Sequence, residues 1–235
     1  MRYVGGKSKL AKRIASDILA RTDKRDVLIE PFVGGGAVLA ELAPAFDCVY
    51  ASDIHEDLML MWNKFWHYNW EPDNYCSEQE YQRLRYEKPS ALRRLVGFGQ
   101  SFGGKWWGGY ARGKKPNGEE RNYLDETIRN IKNIISKLPE NSHFTISSYK
   151  DWNPVAGDVI YCDPPYASTQ GYGGTDSFDS QEFWKVMDEW KQLGADVFVS
   201  EYNAPDSWKE IASYPHRMEL SLIQDRRQTT ERLWH

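Results

Sequence analysis

The sequence has few cysteines and no long hydrophobic run. Its 235 residues include three cysteines at wide spacings, an odd number that predicts no disulfide framework: Cys48, Cys76 and Cys162. No apolar stretch approaches the roughly 20 residues that a membrane-spanning helix needs, and no apolar segment follows the basic N-terminal residues. We therefore expect a cytoplasmic protein with no secretory signal and no membrane partner.

The histidines and cysteines also lack the spacing of a metal site. The five histidines and three cysteines form no HxxxH or CxxC pair. We therefore expect no bound metal. This expectation argues against the zinc-dependent base deaminases, which need a His/Cys ligand set beside a catalytic glutamate.

Positive charge is concentrated in one part of an acidic chain. The formal net charge is −4, yet nine basic residues stand against one acidic residue between Arg83 and Lys115, a local balance of +8. Such a run is either a solvated helix face or a surface that contacts nucleic acid phosphates. We favour the second interpretation, and the preferred contacts are Lys105, Arg112, Lys114 and Lys115.

The hydrophobic pattern alternates between strands and helices. Strands are predicted at 26–32, 48–51, 144–146, 158–162, 196–200 and 218–223, and helices at 7–20, 37–42, 123–138, 181–193 and from residue 56, which Ser52 or Asp53 could cap. This alternation predicts an α/β fold with a mostly parallel sheet that binds ligands at the carboxyl ends of its strands. Residues 62–143 are aromatic, basic and glycine-rich, with a tight turn at 116–118, and form a predicted insertion.

A glycine loop follows the first predicted strand. Glu30-Pro31-Phe32-Val33-Gly34-Gly35-Gly36 lets a ligand approach the backbone, and Asp53 follows the second strand, where a carboxylate can hold ribose hydroxyls. The loop departs from GxGxxG because Leu39 stands at the third glycine position. The pattern disfavours a dinucleotide and leaves room for another nucleoside-bearing cofactor.

The segment Asp163-Pro164-Pro165-Tyr166 follows a predicted strand and is more specific. Two prolines remove backbone donors and stiffen the chain, so that the carboxylate and nearby carbonyls converge as acceptors beside an aromatic ring. Such a site suits an amino group on a planar ring. Ser200-Glu201-Tyr202-Asn203, at another strand end, could line the same pocket or serve the structure alone.

These motifs, in this order, resemble the Dam-type (D12 class, alpha group) adenine-N6 DNA methyltransferases. The resemblance includes Tyr3-Val4-Gly5-Gly6-Lys7, Ser52-Asp53-Ile54 and the ending Glu231-Arg232-Leu233-Trp234. It implies a Rossmann-like S-adenosylmethionine-dependent catalytic domain at 1–61 and 144–235, with the DNA target-recognition segment at 62–143. The implied cofactor contacts are Tyr3, Lys7, Asp53 and Asp163, with Glu30, Phe32, Gly34 and Gly36 shaping the pocket.

The resemblance implies methylation of double-stranded DNA, as in restriction-modification systems, and we expect a monomer. Adenine N6 is a poor nucleophile until acceptors help it to pyramidalise, and Asp163 and the Pro164 carbonyl are the expected acceptors. The target base must leave the duplex, and Tyr166, beside Pro165, is expected to stack on it. No cysteine follows a proline, which argues against cytosine-C5 methylation. Cytosine-N4 methylation and a catalytically inactive DNA-binding relative remain alternatives.

Overall fold

The computed structural model describes residues 6–165, 178–217 and 228–235. Within these ranges the strands are β1 (Val27–Glu30), β2 (Cys48–Asp53), β3 (Asn141–Ile146), β4 (Val159–Cys162), β5 (Asp196–Glu201), β6 (Glu210–Arg217) and β7 (Gln228–Trp234). The α-helices there are α1 (Ala11–Leu19), α2 (Leu39–Leu42), α3 (Glu56–Tyr68), α4 (Glu78–Leu84), α5 (Ala91–Gly99), α6 (Tyr123–Ile135) and α7 (Ser180–Gln192).

The described strands form one sheet in the order β3-β2-β1-β4-β5-β7-β6. The first five of these strands are parallel, and β7 lies antiparallel between β5 and β6. Because the order reverses direction at β1, the loops after β1 and β4 open at the same edge of the sheet. The predicted α/β fold with a mostly parallel, Rossmann-like sheet is confirmed.

Alternation along the strands separates two cores. Leu28, Tyr161 and Phe198 pack on the face covered by α1, α2 and α3, whereas Ile29 and Val197 pack on the face covered by α7. Side chains two residues apart on a strand share a face. Glu30, at the end of β1, therefore faces the same side as Leu28.

The helix starts differ from the prediction. α1 begins at Ala11, and Lys7 lies in the preceding turn, where its carbonyl oxygen accepts the N–H groups of Leu10 and Ala11 at 2.7 Å each. The expected cap of α3 by Ser52 or Asp53 is wrong. The N-cap position is His55, without a side-chain cap, because the Asp53 carboxylate accepts the backbone N–H of His55 instead.

The two C-terminal strands of the described sheet were not predicted. The predicted strand at 218–223 lies outside the described residues, and no sequence pattern indicated β6 or β7. Pro215 interrupts the strand pattern of β6, and proline cannot donate to a sheet ladder. It is accommodated because β6 lies at the edge of the described sheet.

The predicted insertion contributes helices α4, α5 and α6 and the end of α3, which runs past residue 62. α5 packs against α3 and α6. The tight turn at 116–118 is confirmed: Gly118 has φ +86° and donates its N–H to the Lys115 carbonyl at 2.9 Å. The backbones of Lys114 and Glu120 form an antiparallel β-bridge across the hairpin.

Candidate active site

An ion-paired lysine joins the start of the described chain to the end of β4. The Lys7 Nζ lies 2.7 Å from Asp163 Oδ1 and 3.6 Å from Glu231 Oε2. The Lys7 and Glu231 side chains are only 6% and 2% exposed, whereas that of Asp163 is 22% exposed. The carboxylate of the predicted catalytic residue is thus held from behind and remains partly open.

The charges of this group support one another. Burial alone would lower the pKa of Lys7, but the charges of Asp163 and Glu231 outweigh it and hold that pKa above its usual value. Burial raises the pKa of Asp163, and the Lys7 ammonium opposes part of that rise. Each charge therefore favours the ionised form of the other.

Glu30 lies at the end of the strand next to β4 and is 2% exposed. Its Oε2 has no hydrogen-bond partner among the described residues. Burial and the nearby charge of Asp163 raise the pKa of Glu30 well above its usual value. This environment favours the uncharged form of Glu30 and leaves one of its oxygens to meet a ligand.

The glycine loop is anchored on both sides. Asp53 Oδ2 accepts the backbone N–H of Gly34 at 3.2 Å, and the Trp62 indole donates to the Gly34 carbonyl oxygen at 3.2 Å. Gly34 and Gly36 both have positive φ, at 46° and 66°. A Cβ on Gly36 would lie 2.9 Å from Trp62 Cζ2, so the loop needs glycine both for its backbone and for its packing.

The other residue expected to shape the pocket, Phe32, lies in an aromatic cluster. Its ring stacks on Tyr149 with centroids 5.3 Å apart and meets Phe178 and Phe183 edge-on. This cluster belongs to the core under α7. Phe32 therefore forms part of the wall where the glycine loop begins.

The charge of a buried arginine of the insertion acts on Asp53 and His55, at the end of β2. Arg94 on α5 is 0% exposed, and its Cζ lies 3.7 Å from the Phe98 ring centroid. Burial and the charges of Arg94 and Arg93 lower the pKa of His55 to about 3. Burial raises the pKa of Asp53, and its backbone hydrogen bonds and Arg94 limit that rise.

Three acidic or basic residues near the site were not singled out by their spacing. Glu231 was seen only as part of a family-like ending, and Arg94 only as one charge in a basic run. The sequence does not decide whether Glu201 lines the pocket or serves the structure alone. Its side chain is 6% exposed and accepts the Tyr202 N–H at 2.6 Å, and burial raises its pKa to about 7. An acidic residue two positions from an apolar residue on a strand, as Glu231 is from Leu233, is the one signal that could have marked such a position.

The expected DNA contacts are exposed on the insertion, and their environments differ. Arg112 forms an ion pair with Glu78, and Lys115 Nζ lies 3.0 Å from Glu119 Oε2. Lys105 and Lys114 have no acidic partner in the part of the chain that the structure describes. The local balance of +8 is thus reduced by acids outside the counted window.

Several expectations cannot be compared with geometry. Tyr3 and Tyr166 lie outside the described residues, and Pro164 and Pro165 follow β4 directly. Among residues 6–165, 178–217 and 228–235, no group of three or more His, Cys, Asp or Glu side chains could hold a metal ion. No helix in those ranges has the length and apolar character required to cross a membrane.

A strand order of this kind, with a glycine loop after β1 and an Asp-Pro-Pro segment after β4, is the arrangement in which α/β proteins place a nucleoside-bearing ligand at one edge of the sheet. Residues 3–90 match the family model of the D12 class N6 adenine-specific DNA methyltransferases. This part of the chain is similar to that family.

Individual relatives and one solved structure are also similar to the chain. DNA adenine methylase of Escherichia coli K12 is 28% identical over 209 residues, which cover 78% of this chain and 70% of the relative. The type II methyltransferase M.MjaIII of Methanocaldococcus jannaschii is 39% identical over 64 residues, covering 26% of this chain and 22% of the relative. Among solved structures, the magnesium protoporphyrin IX methyltransferase of Synechocystis PCC 6803 aligns with a TM-score of 0.42 at 11% identity, over 98% and 78% of the two chains.

Proposed function

We propose that this protein transfers a methyl group from S-adenosylmethionine to the N6 amine of adenine in double-stranded DNA. One observation carries the proposal: Asp163 follows β4 with Oδ1 engaged by Lys7, at the edge of the sheet where the glycine loop after β1 and Asp53 at the end of β2 also lie. An anchored carboxylate with a second oxygen available suits an amine donor. The match of residues 3–90 to the D12 class model and the similarity to DNA adenine methylase support adenine in DNA as its substrate.

The described residues fit the proposed cofactor. Gly34 and Gly36 give the loop its positive-φ backbone, and the Asp53 carboxylate at the end of β2 suits ribose hydroxyls. The buried Glu30 oxygen without a partner suits a cationic or hydrogen-bonding group of the ligand. When bound, S-adenosylmethionine supplies an electrophilic methyl group on a sulfonium.

The residues of this chain would act by position and charge. Asp163 and the Pro164 carbonyl accept hydrogen bonds from the adenine amine, which makes its lone pair available and stabilises the positive charge that develops on nitrogen. Lys7 fixes the carboxylate, so that little reorganisation is needed during attack. Holding two reactants in this way can remove roughly 7–11 kcal/mol of the barrier without a covalent enzyme intermediate.

The inserted segment 62–143 would bind the duplex. Lys105 and Lys114 are exposed cations without described acidic partners and are suited to phosphate contacts, and Arg112 and Lys115 would assist at the cost of their surface ion pairs. The target adenine leaves the stack, and Tyr166 would pack against it. We place this reaction in the cytoplasm, with the protein acting as a monomer.

The decisive experiment identifies the methylated nucleoside. Purified protein is incubated with duplex DNA and methyl-labelled S-adenosylmethionine, and the DNA is digested to nucleosides and separated. Label in N6-methyl-2′-deoxyadenosine is the expected result, and Asp163→Ala serves as the inactive control. Label in N4-methyl-2′-deoxycytidine would show that the same site methylates cytosine, whereas DNA binding without any label would show a binding protein that has lost catalysis.

A further inference from the structure

Three residues from distant parts of the chain meet behind the proposed catalytic carboxylate. Lys7 precedes α1, Asp163 follows β4, and Glu231 lies on β7. The lysine Nζ is 2.7 Å from Asp163 Oδ1 and 3.6 Å from Glu231 Oε2. Glu231 has no place in the proposed chemistry so far, yet it is one of the most buried acids of the described chain, at 2% exposure.

The strand alternation explains why Glu231 points to this group. Leu233 packs in the same core as Leu28 and Tyr161. Glu231 is two residues from Leu233 on β7 and therefore shares its face of the sheet, the face from which Glu30 also projects. The position of Glu231 is thus set by the pairing of β7 with β5, at Ser200↔Leu233 and Glu201↔Arg232.

Burying an acid at this place costs free energy, and a functional role would explain why one is present. A buried ion pair repays its desolvation only when its geometry is good, and replacing it with apolar residues is often neutral or stabilising. Tyr161 and Phe198 show that this face can be filled by aromatic side chains. A second carboxylate on Lys7 restricts where the ammonium can lie, and the ammonium in turn fixes which oxygen of Asp163 remains open.

We propose that Glu231 is a positioning residue for methyl transfer, acting through Lys7 to orient Asp163 toward the adenine amine. This inference rests on the proposed function. Glu231 does not need to touch substrate or cofactor, and the implied cofactor contacts Lys7, Asp53 and Asp163 are all kept in a Glu231 variant.

The first test compares two glutamates on neighbouring strands. Glu231→Gln keeps the shape of the side chain and removes its charge. The matched control is Glu210→Gln on β6, where the carboxylate is 41% exposed and forms an ion pair with Arg232, 3.1 Å away. We expect Glu231→Gln to lower the single-turnover rate on duplex DNA by about tenfold or more, equivalent to about 1.4 kcal/mol of barrier. The dissociation constant for S-adenosylhomocysteine should change less than about twofold, and Glu210→Gln should match the wild type in both measurements.

A double-mutant cycle then tests the route through Lys7. Lys7→Met, Glu231→Gln and the double variant are compared with the wild type. If Glu231 acts through Lys7, the double variant is no slower than Lys7→Met, because the pathway is already broken. Two losses that multiply would overturn the proposal, as would a wild-type rate in Glu231→Gln.

Folding and function can be separated in the same series. Circular dichroism and thermal unfolding are measured for each variant to check that it folds. If Glu231→Gln does not fold, Glu231→Asp, which keeps the charge on a shorter arm, carries the test: a lowered rate with unchanged S-adenosylhomocysteine binding supports the proposal, and a wild-type rate or an equal loss of binding overturns it. If the wild type methylates no DNA, the proposed function fails and this inference with it, whereas an active wild type with equally active variants rejects the inference alone.

Discussion

Trp62 on α3 donates its indole N–H to the carbonyl oxygen of Gly34 at 3.2 Å, and the same ring closes the space beside Gly36. The first helix that leads into the insertion therefore shapes the loop that would hold the cofactor. A substitution in this loop should therefore change ligand affinity as well as the stability of the fold.

Gly36→Ala is expected to weaken cofactor binding by at least about tenfold. Its φ of +66° is unfavourable for alanine, at about 1–3 kcal/mol, and the new Cβ would meet Trp62 at 2.9 Å. Calorimetry with S-adenosylhomocysteine measures the affinity. Gly118→Ala is the matched control because Gly118 also has positive φ, +86°, with nothing within 4 Å of a Cβ. Equal affinities of Gly36→Ala and Gly118→Ala would contradict the role of the loop.

Asp163→Asn should leave less than about a tenth of the wild-type turnover. The substitution replaces an acceptor oxygen with a donor and removes the partner charge of Lys7, and a tenfold loss equals roughly 1.4 kcal/mol of barrier. Nucleoside analysis of methylated DNA gives the rate. Asp158→Asn, at the other end of β4, controls for loss of a buried aspartate, since its Oδ2 accepts the Val155 N–H far from the glycine loop. Turnover above that limit in Asp163→Asn would remove Asp163 from the mechanism.

The sequence was informative where chemistry depends on neighbours along the chain. The glycine loop after β1, Asp53 after β2 and Asp163 after β4 could be placed because each motif is local and parallel strands bring their carboxyl ends to one edge. The hairpin turn at Asn117-Gly118 was predictable for the same reason.

Other features depend on pairing that the sequence does not display. The contact of Lys7 with Glu231 joins residues 224 positions apart and follows from the register of β7. Arg94 counted as surface charge in a linear pattern but packs over Phe98 inside the insertion. The basic run also looked more positive than it is, because Arg93 is paired with Asp57 on α3, outside the counted window.

Glu201→Gln should make the protein more stable at pH 8. Burial raises the pKa of Glu201 to about 7, whereas an unfolded glutamate titrates near about 4.3. Between these values the folded state binds more protons, so its stability falls as pH rises through that window. Gln cannot ionise but can still accept the Tyr202 N–H. Thermal unfolding from pH 5 to pH 8 should show a smaller loss in Glu201→Gln, with about 2–4 °C in Tm for each kcal/mol gained. Parallel curves for the two proteins would contradict a titrating Glu201.

The last prediction concerns the DNA surface of the insertion. Lys105 and Lys114 are exposed and have no described acidic partner, whereas Arg112 and Lys115 are paired with Glu78 and Glu119. A phosphate contact releases counterions, so each lost contact should lower the slope of log affinity against log salt by about 0.9. We therefore expect the double variant Lys105→Ala with Lys114→Ala to have a slope of log affinity against log salt that is smaller in magnitude by about 1.8. Fluorescence anisotropy on a short duplex measures this slope.

The paired cations should contribute less, because DNA must compete with their acidic partners. Arg112→Ala combined with Lys115→Ala is expected to change the slope by less than the Lys105 and Lys114 pair. Lys185→Ala, an exposed lysine on α7 outside the insertion, controls for a general loss of positive charge. A residue that reads bases would instead change which sequence is methylated. If the slope, the affinity and the methylated sequence are all unchanged in the Lys105 and Lys114 variant, while S-adenosylhomocysteine still binds, the duplex must lie on another surface of the protein.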